Sequence, residues 1–275
     1  MRPPYGANRL VTIGGVSCGP VTIPNSPSPG WVELANGAVP LRCWWAEPQI
    51  NANDIELKLA PNRVYVVLPE VFGVNAWVRS VADRLAAQGY PALAVPLFSR
   101  TAPDLELAYD PSDLAEGRRH KDATTADQIL GDVSAALSWL RARYPQAAIR
   151  VVGFCFGGHA AFLAAILPGV EHAFDFYGAG VSRMRPGGGE PSLALLPQIK
   201  ARLTCVFGTA DSLIPAEDRG AIGAALNEVD PAGQRLRVVE YAGADHGFMC
   251  EARARFNPQA SAQGWRLLLG ENPVV

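Results

Sequence analysis

Residues 149–165 read IRVVGFCFGGHAAFLAA, and this stretch decides the fold of the chain. A strand-like apolar run ends at Gly153, and an apolar helical run begins near Phe156. Between them lies the nucleophile-elbow pattern G-x-S-x-G, with Cys155 in place of the serine. Glycines suit this tight turn because side chains there would clash, and a helix N-terminus favours a thiolate. The alternative is a buried structural cysteine beside glycines that serve only close packing.

Strand and helix patterns alternate on both sides of this motif. Apolar runs typical of buried strands occupy Val64–Leu68, Ala92–Val95, His172–Tyr177, Leu203–Phe207 and Leu236–Tyr241. Helical patterns follow Asn75 and cover residues 129–140, 217–229 and 259–269, and a polar segment occupies 101–127. Repeated strand–helix units predict an α/β fold, with a mainly parallel sheet and helices on both faces.

The N-terminal part of the chain has a different pattern. Trp31–Leu34 and Val39–Trp45 flank Asn36-Gly37, which is a strong signal for a hairpin turn. We expect one domain, in which residues 1–55 form an N-terminal extension with antiparallel strands and residues 56–275 form the catalytic core.

Composition excludes several classes of protein. The 24 basic and 26 acidic residues nearly balance, without a basic run, so we expect no nucleic-acid partner. The five cysteines are widely spaced and odd in number, which does not fit a disulfide framework. The first residues lack the apolar core of a secretion signal, so we expect a cytoplasmic protein. Residues 151–170 carry no charge and could span a bilayer, but glycines and Pro168 interrupt them, so we expect no membrane association.

An acid and a histidine follow the elbow in the chain order that a catalytic triad on this turn requires. Asp211 comes directly after one predicted strand and His246 after the last one, at the edge where α/β sheets bind ligands. Asp245 competes with Asp211 as partner of the imidazole, but it would have to fold back on its own neighbour. His120 and His172 lack metal-ligand spacing, and His246 with Cys250 is an isolated pair, whereas structural zinc needs four ligands. The sequence therefore predicts no metal site.

Four motifs in this order resemble the dienelactone hydrolase family of α/β-hydrolases. They are PEVFGVN at 69–75, GFCFGG at 153–158, Gly208-x-x-Asp211 and DHGF at 245–248, within a resemblance that runs from about Val64 to Leu269. The resemblance implies that Cys155 is the nucleophile, His246 the base and Asp211 the residue that orients it. It also implies that Glu70 holds the resting thiol protonated and takes its proton when substrate binds. The backbone N–H groups of Val71 and Phe156 would form the oxyanion hole.

The resemblance also assigns substrate-binding residues. Arg100 matches a family arginine that binds the substrate carboxylate, and Tyr177 matches a tyrosine of the family's pocket. A second family arginine, four residues after the histidine, is replaced here by Cys250. Arg253 is the candidate to take its place from a different turn.

The predicted function is therefore hydrolysis of small lactones or carboxylic esters through an acyl group on Cys155, without a cofactor. A substrate that carries a carboxylate is expected. Two alternatives remain open at this point: a broad carboxylesterase for neutral esters, and a non-catalytic thiol sensor or binding protein on the same scaffold.

Overall fold

The computed structural model describes residues 28–48 and 61–270. Its strands are β1 (Gly30–Leu34), β2 (Leu41–Ala46), β3 (Arg63–Leu68), β4 (Ala92–Ala94), β5 (Ala148–Phe154), β6 (Val170–Phe176), β7 (Arg202–Gly208) and β8 (Leu236–Tyr241). Its helices are α1 (Ala76–Ala87), α2 (Pro111–Asp122), α3 (Ala126–Arg143), α4 (Phe156–Ala164), α5 (Ala216–Val229) and α6 (Pro258–Leu269), with a 3₁₀ helix at Ser192–Gln198.

The described strands form one sheet, in the order β1-β2-β4-β3-β5-β6-β7-β8. In this order, all neighbouring strands from β4 onward are parallel. The β1–β2 and β2–β4 pairs are antiparallel. The central strands are apolar and buried along almost their whole length, as expected for a sheet covered on both faces. The predicted α/β class and mainly parallel sheet are thus confirmed.

The N-terminal hairpin extends this sheet. The two predicted strands pair antiparallel around the Asn-Gly turn, so the predicted hairpin is confirmed. Asn36 in the turn donates from Nδ2 to Asp132 Oδ1 of α3 at 2.6 Å, which fixes the hairpin to the helix layer. Strands from the predicted extension are therefore part of the same sheet as the strands of the core.

Helix boundaries follow local capping signals. The side chain of Asn75 accepts from the N–H of Val78 and starts α1, while Gly89 follows the helix at a φ of 87°. The predicted helices over 129–140, 217–229 and 259–269 correspond to α3, α5 and α6.

The polar segment 101–127, for which the sequence predicts no helix before residue 129, contains α2. Asp110 caps this helix in a capping box with Asp113, and Pro111 occupies the first turn. Only Gly117 of α2 is buried, so the helix lacks the apolar stripe on which helix prediction from periodicity depends.

The uncharged run 151–170 is divided between the end of β5, a turn, α4 and the start of β6. Within the described ranges, no helix combines the length and the apolar character that crossing a membrane requires. Of the cysteines, Cys43, Cys155, Cys205 and Cys250 have free thiols, and Cys18 lies outside the described residues.

Candidate active site

Cys155 occupies a strained turn between β5 and α4. Its φ of 54° and ψ of −118° are unusual for a residue with a side chain. A Cβ on Gly153 would lie 1.7 Å from the carbonyl oxygen of Gly157, and one on Gly157 would lie 2.3 Å from that of Leu68. Both glycines are therefore required by the close approach of backbone to backbone. Cys155 is partly exposed, whereas the other three described cysteines are buried.

His246 and Asp211 form a buried pair at the ends of neighbouring strands. The imidazole Nδ1 lies 2.8 Å from Asp211 Oδ2, and Asp211 Oδ1 accepts from the N–H of Leu213 at 2.8 Å. The competing carboxylate, Asp245, accepts instead from the backbone N–H of His246 and from Arg255. Of the two candidates, the structure brings Asp211 to the ring.

The electrostatic surroundings of His246 favour its charged form. Burial opposes the imidazolium, but a Cys155 thiolate and the Asp211 carboxylate outweigh burial and raise the pKa of His246 to about 10. When Cys155 Sγ is ionised, the imidazole of His246 is therefore protonated.

Glu70 is fully buried at the end of β3 and is paired with Arg253. Arg253 Nη1 donates to Glu70 Oε1 at 2.7 Å, and the arginine side chain is 17% exposed. Burial raises the pKa of Glu70, while the positive charges of Arg253 and His246 oppose that rise. Glu70 Oε2 makes no hydrogen bond of normal geometry to any described residue. A proton acceptor is therefore available beside the elbow.

Arg253, the candidate to replace the arginine that is missing at Cys250, lies against the loop that carries His246. Arg253 packs against Gly247, whose φ is 85° and where a Cβ would lie 2.4 Å from Arg253 Nη1. Cys250 is buried, and burial together with Glu70 raises its pKa to about 12. Cys250 is thus a neutral neighbour of the carboxylate, and Arg253 is the cation that contacts it.

The two residues of the predicted oxyanion hole, Val71 and Phe156, come from the segment after β3 and from the start of α4. Phe156 is the first residue of α4, where the helix leaves N–H groups without intrahelical acceptors. Val71 directly follows Glu70, and its carbonyl is in close contact with α2, since a Cβ on Gly117 would lie 2.2 Å from the Val71 oxygen. Val71 and Phe156 both line the cavity that contains Cys155.

The cavity has a volume of about 640 Å³, within the range of small-molecule sites. Of the predicted site residues, it is lined by Cys155, His246, Val71, Phe156 and Arg253. Asp211 and Glu70 lie behind this wall, each in contact with a lining residue.

The structure does not bring Arg100 into the site. Its two terminal nitrogens bind both oxygens of Asp132, at 2.8 and 2.9 Å, and Asp132 is fully buried in α3. Arg100 is also absent from the cavity lining. Its guanidinium fork is already matched to a carboxylate of the protein itself, and its expected role in binding the substrate's carboxylate stays a prediction.

Tyr177 lies beneath the site rather than on its wall. It is fully buried at a φ of 43°, and its ring centre is 5.3 Å from that of His246 and 5.0 Å from that of Phe248. The ring therefore supports the imidazole from behind. Its hydroxyl has no hydrogen-bond partner among the described residues, and burial raises its pKa well above the usual value.

Sequence reasoning missed part of the cavity wall. It is supplied by one face of α2 (Leu114, Arg118 and Lys121), together with Met184 and Leu213. The capping box at Asp110 is the sequence signal that could have placed α2. Nothing local marks Met184 or Leu213.

His159 also lines the cavity, but its ring is already bound. Its nitrogens contact the Ala179 carbonyl at 2.9 Å and the Ser192 hydroxyl at 2.7 Å, and burial lowers its pKa to about 4. Among the residues that the structure describes, no cluster of three or more potential metal ligands occurs.

The similarity of this chain to known proteins extends over most of its length. The sequence model of the dienelactone hydrolase family matches residues 52–270. A Synechocystis protein named "Putative carboxymethylenebutenolidase" is 37% identical over 205 residues, which cover 74% of this chain and 82% of that protein. The carboxymethylenebutenolidase of Pseudomonas putida is 32% identical over 209 residues, which cover 74% of this chain and 82% of the relative.

A solved structure extends the similarity to three dimensions. The crystal structure of a "Putative Dienelactone Hydrolase" from Klebsiella pneumoniae superposes with a TM-score of 0.75 at 25% identity. The match covers 90% of this chain and 98% of that one. The chain therefore belongs to the dienelactone hydrolase family and is a hydrolase.

Proposed function

We propose that the chain hydrolyses lactones or carboxylic esters through an acyl group on the sulfur of Cys155, and that it prefers substrates that carry a carboxylate. The observation that carries the proposal is the convergence of a strained, partly exposed cysteine and a buried His246–Asp211 pair on one cavity. A structural cysteine would need neither the strained backbone nor an oriented imidazole.

In the first step, Cys155 Sγ attacks the ester carbonyl, and the carbonyl oxygen becomes negative. The N–H groups of Val71 and Phe156 stabilise that charge. The S–C bond forms and the C–O bond of the ester breaks. The thiol proton passes to Glu70, as the family resemblance implies, and ends on the leaving alkoxide. In a lactone, this alkoxide stays attached to the acyl group.

In the second step, His246 removes a proton from water, and the resulting hydroxide attacks the thioester. The carboxylic acid is released, and the thiolate regains a proton from the imidazolium. Asp211 fixes the ring so that Nε2 serves as the base, because Nδ1 is engaged by the carboxylate.

The charge of the cavity wall supports the preference for acids. Its charged residues, apart from histidines, are Asp218 and five cations: Arg118, Lys121, Arg183, Arg253 and Arg255. An excess of positive charge in a cleft attracts anionic ligands and accelerates their association.

The experiment is to mix the enzyme with an activated aryl ester and stop the reaction during the first turnover. Peptide mass spectrometry should find one acyl group, on Cys155, and release of the alcohol should show a burst. Cys155→Ala should abolish both. Acyl groups on other cysteines only, or full turnover by Cys155→Ala, would overturn the proposal.

A further inference from the structure

The mouth of the cavity is both apolar and cationic. Three large hydrophobic side chains are exposed within the described ranges, and two of them, Met184 at 39% and Leu213 at 46%, line this cavity. Exposed apolar side chains that lie together at a cavity are typical of a surface that binds a ligand. The wall thus offers contacts to more of a substrate than the ester group itself.

Helix α2 contributes a complete face to this wall. Leu114, Arg118 and Lys121 are spaced by four and three residues, which places them on the same side of the helix. Gly117, between them, rests against the Val71 carbonyl and so holds α2 beside the oxyanion hole. The two cations are therefore part of the site's architecture rather than of a distant surface.

These two cations are also less neutralised than the others in the wall. Arg183, Arg253 and Arg255 are paired with Asp218, Glu70 and Asp245, at 2.6, 2.7 and 3.2 Å. Arg118, by contrast, makes no ion pair or side-chain hydrogen bond with any described residue. Within the described part of the chain, Lys121 forms an ion pair only with Asp122, whose side chain is largely exposed.

We propose that Arg118 and Lys121 bind a carboxylate at the far end of the substrate's acyl chain, while Leu114, Met184 and Leu213 cover the apolar segment between the two ends. The proposed function already includes a substrate carboxylate; the new element is that α2 binds it, at the end of the acyl chain away from the ester. This inference rests on the proposed function and specifies it, because the acyl chain is the part that stays on Cys155 through both steps.

The test uses 4-nitrophenyl half-esters of straight-chain dicarboxylic acids with spacers of increasing length. Each is compared with the same compound whose free acid is methylated, and spontaneous hydrolysis is subtracted. At the best spacer, the wild type should show a kcat/KM at least about tenfold higher for the free acid, and salt should reduce this ratio.

In the double variant Arg118→Gln/Lys121→Gln, the ratio should fall to near one. The matched control is Arg119→Gln, since Arg119 lies on the same helix, is exposed, pairs with Glu116 and does not line the cavity. It should keep the wild-type ratio. A wild-type ratio near one at every spacer, or equal ratios in the double variant and the control, would overturn the inference.

Mass detection of the acyl enzyme distinguishes failure of the proposed carboxylate site on α2 from failure of the proposed function. If methylated substrates acylate Cys155 but the free acids show no advantage, only the carboxylate site is wrong. If neither series acylates Cys155, both proposals fall.

Discussion

The buried pair of Glu70 and Arg253 allows a quantitative test. We consider the substitution Arg253→Met, which keeps an apolar stem of similar length. Among the described residues, it removes the one cation that forms an ion pair with the fully buried carboxylate of Glu70, at 2.7 Å. Removing one partner of a buried ion pair costs about 3–5 kcal/mol, because the remaining charge is left uncompensated. A neutral Glu70 would lose only a hydrogen bond, worth about 1 kcal/mol.

The cost should therefore depend on pH. Burial already raises the pKa of Glu70, and Arg253 limits that rise, so the substitution raises this pKa further. Between the two folded-state values, the variant keeps a proton that the wild type has released. Its deficit in unfolding free energy then grows with pH, by at most about 1.4 kcal/mol per unit. We expect a loss of about 1 kcal/mol at acidic pH, where Glu70 is protonated in both proteins, and several kcal/mol at alkaline pH.

Urea unfolding across that pH range measures the loss directly. The control is Arg255→Met, because the pair of Arg255 with Asp245 is exposed and should contribute less than about 1 kcal/mol at any pH. The double variant Arg253→Met/Glu70→Gln should lose the pH dependence. If it retains the whole loss, the arginine acts through its packing on Phe72 and Tyr109, whose ring centres are 5.8 and 5.9 Å from its guanidinium, and the electrostatic reasoning is wrong.

Three other substitutions test neighbouring parts of the structure. Arg100→Ala should lower the unfolding free energy by about 3 kcal/mol, because it leaves the buried carboxylate of Asp132 without its cation, and it should leave the preference for acids intact. Unchanged stability in urea unfolding together with loss of that preference would instead identify Arg100 as a substrate ligand. Gly117→Ala should reduce kcat, because its Cβ would press on the Val71 carbonyl. The control Gly131→Ala, on α3 with nothing within 4 Å of its Cβ, should keep kcat and leave the unfolding free energy unchanged or higher by about 0.4–1 kcal/mol. Asp211→Asn should reduce kcat about 10⁴-fold, as loss of the orienting acid does in triad enzymes, and a loss below tenfold would contradict its role.

The fold was predictable because its signals are local and repeated. Each buried strand of the parallel core is an apolar run, and most helices carry either an apolar stripe or a capping residue. Helix α2 escaped prediction because Gly117 is its only buried residue and Leu114, which packs partly buried against the core, is not part of an apolar stripe. The capping box at Asp110 and the contact with Val71 help to hold it in place, and only the first of these is visible in the sequence.

The convergence of the candidate catalytic residues follows from topology. In a parallel sheet the carboxyl ends of all strands lie at one edge, so residues that follow β3, β5, β7 and β8 lie on the same side of the fold. Glu70, Cys155, Asp211 and His246 occupy those four positions. Motif order along the chain was therefore enough to predict the shared edge, whereas their contacts also depend on strand order and on the loops that follow the strands.

The placement of the arginines depends instead on competition between side chains, which no motif records. Arg100 stands at the position that the family resemblance assigns to substrate binding, yet buried Asp132 takes both of its terminal nitrogens. Arg253 stands where no family motif requires an arginine, yet it reaches Glu70 across Gly247. A cation whose charge is already matched by a buried acid gains little from a substrate carboxylate, since the acid must first be left unpaired. Arg118 has no such acid among the described residues, and this difference makes the cavity face of α2 the stronger candidate for selecting the substrate.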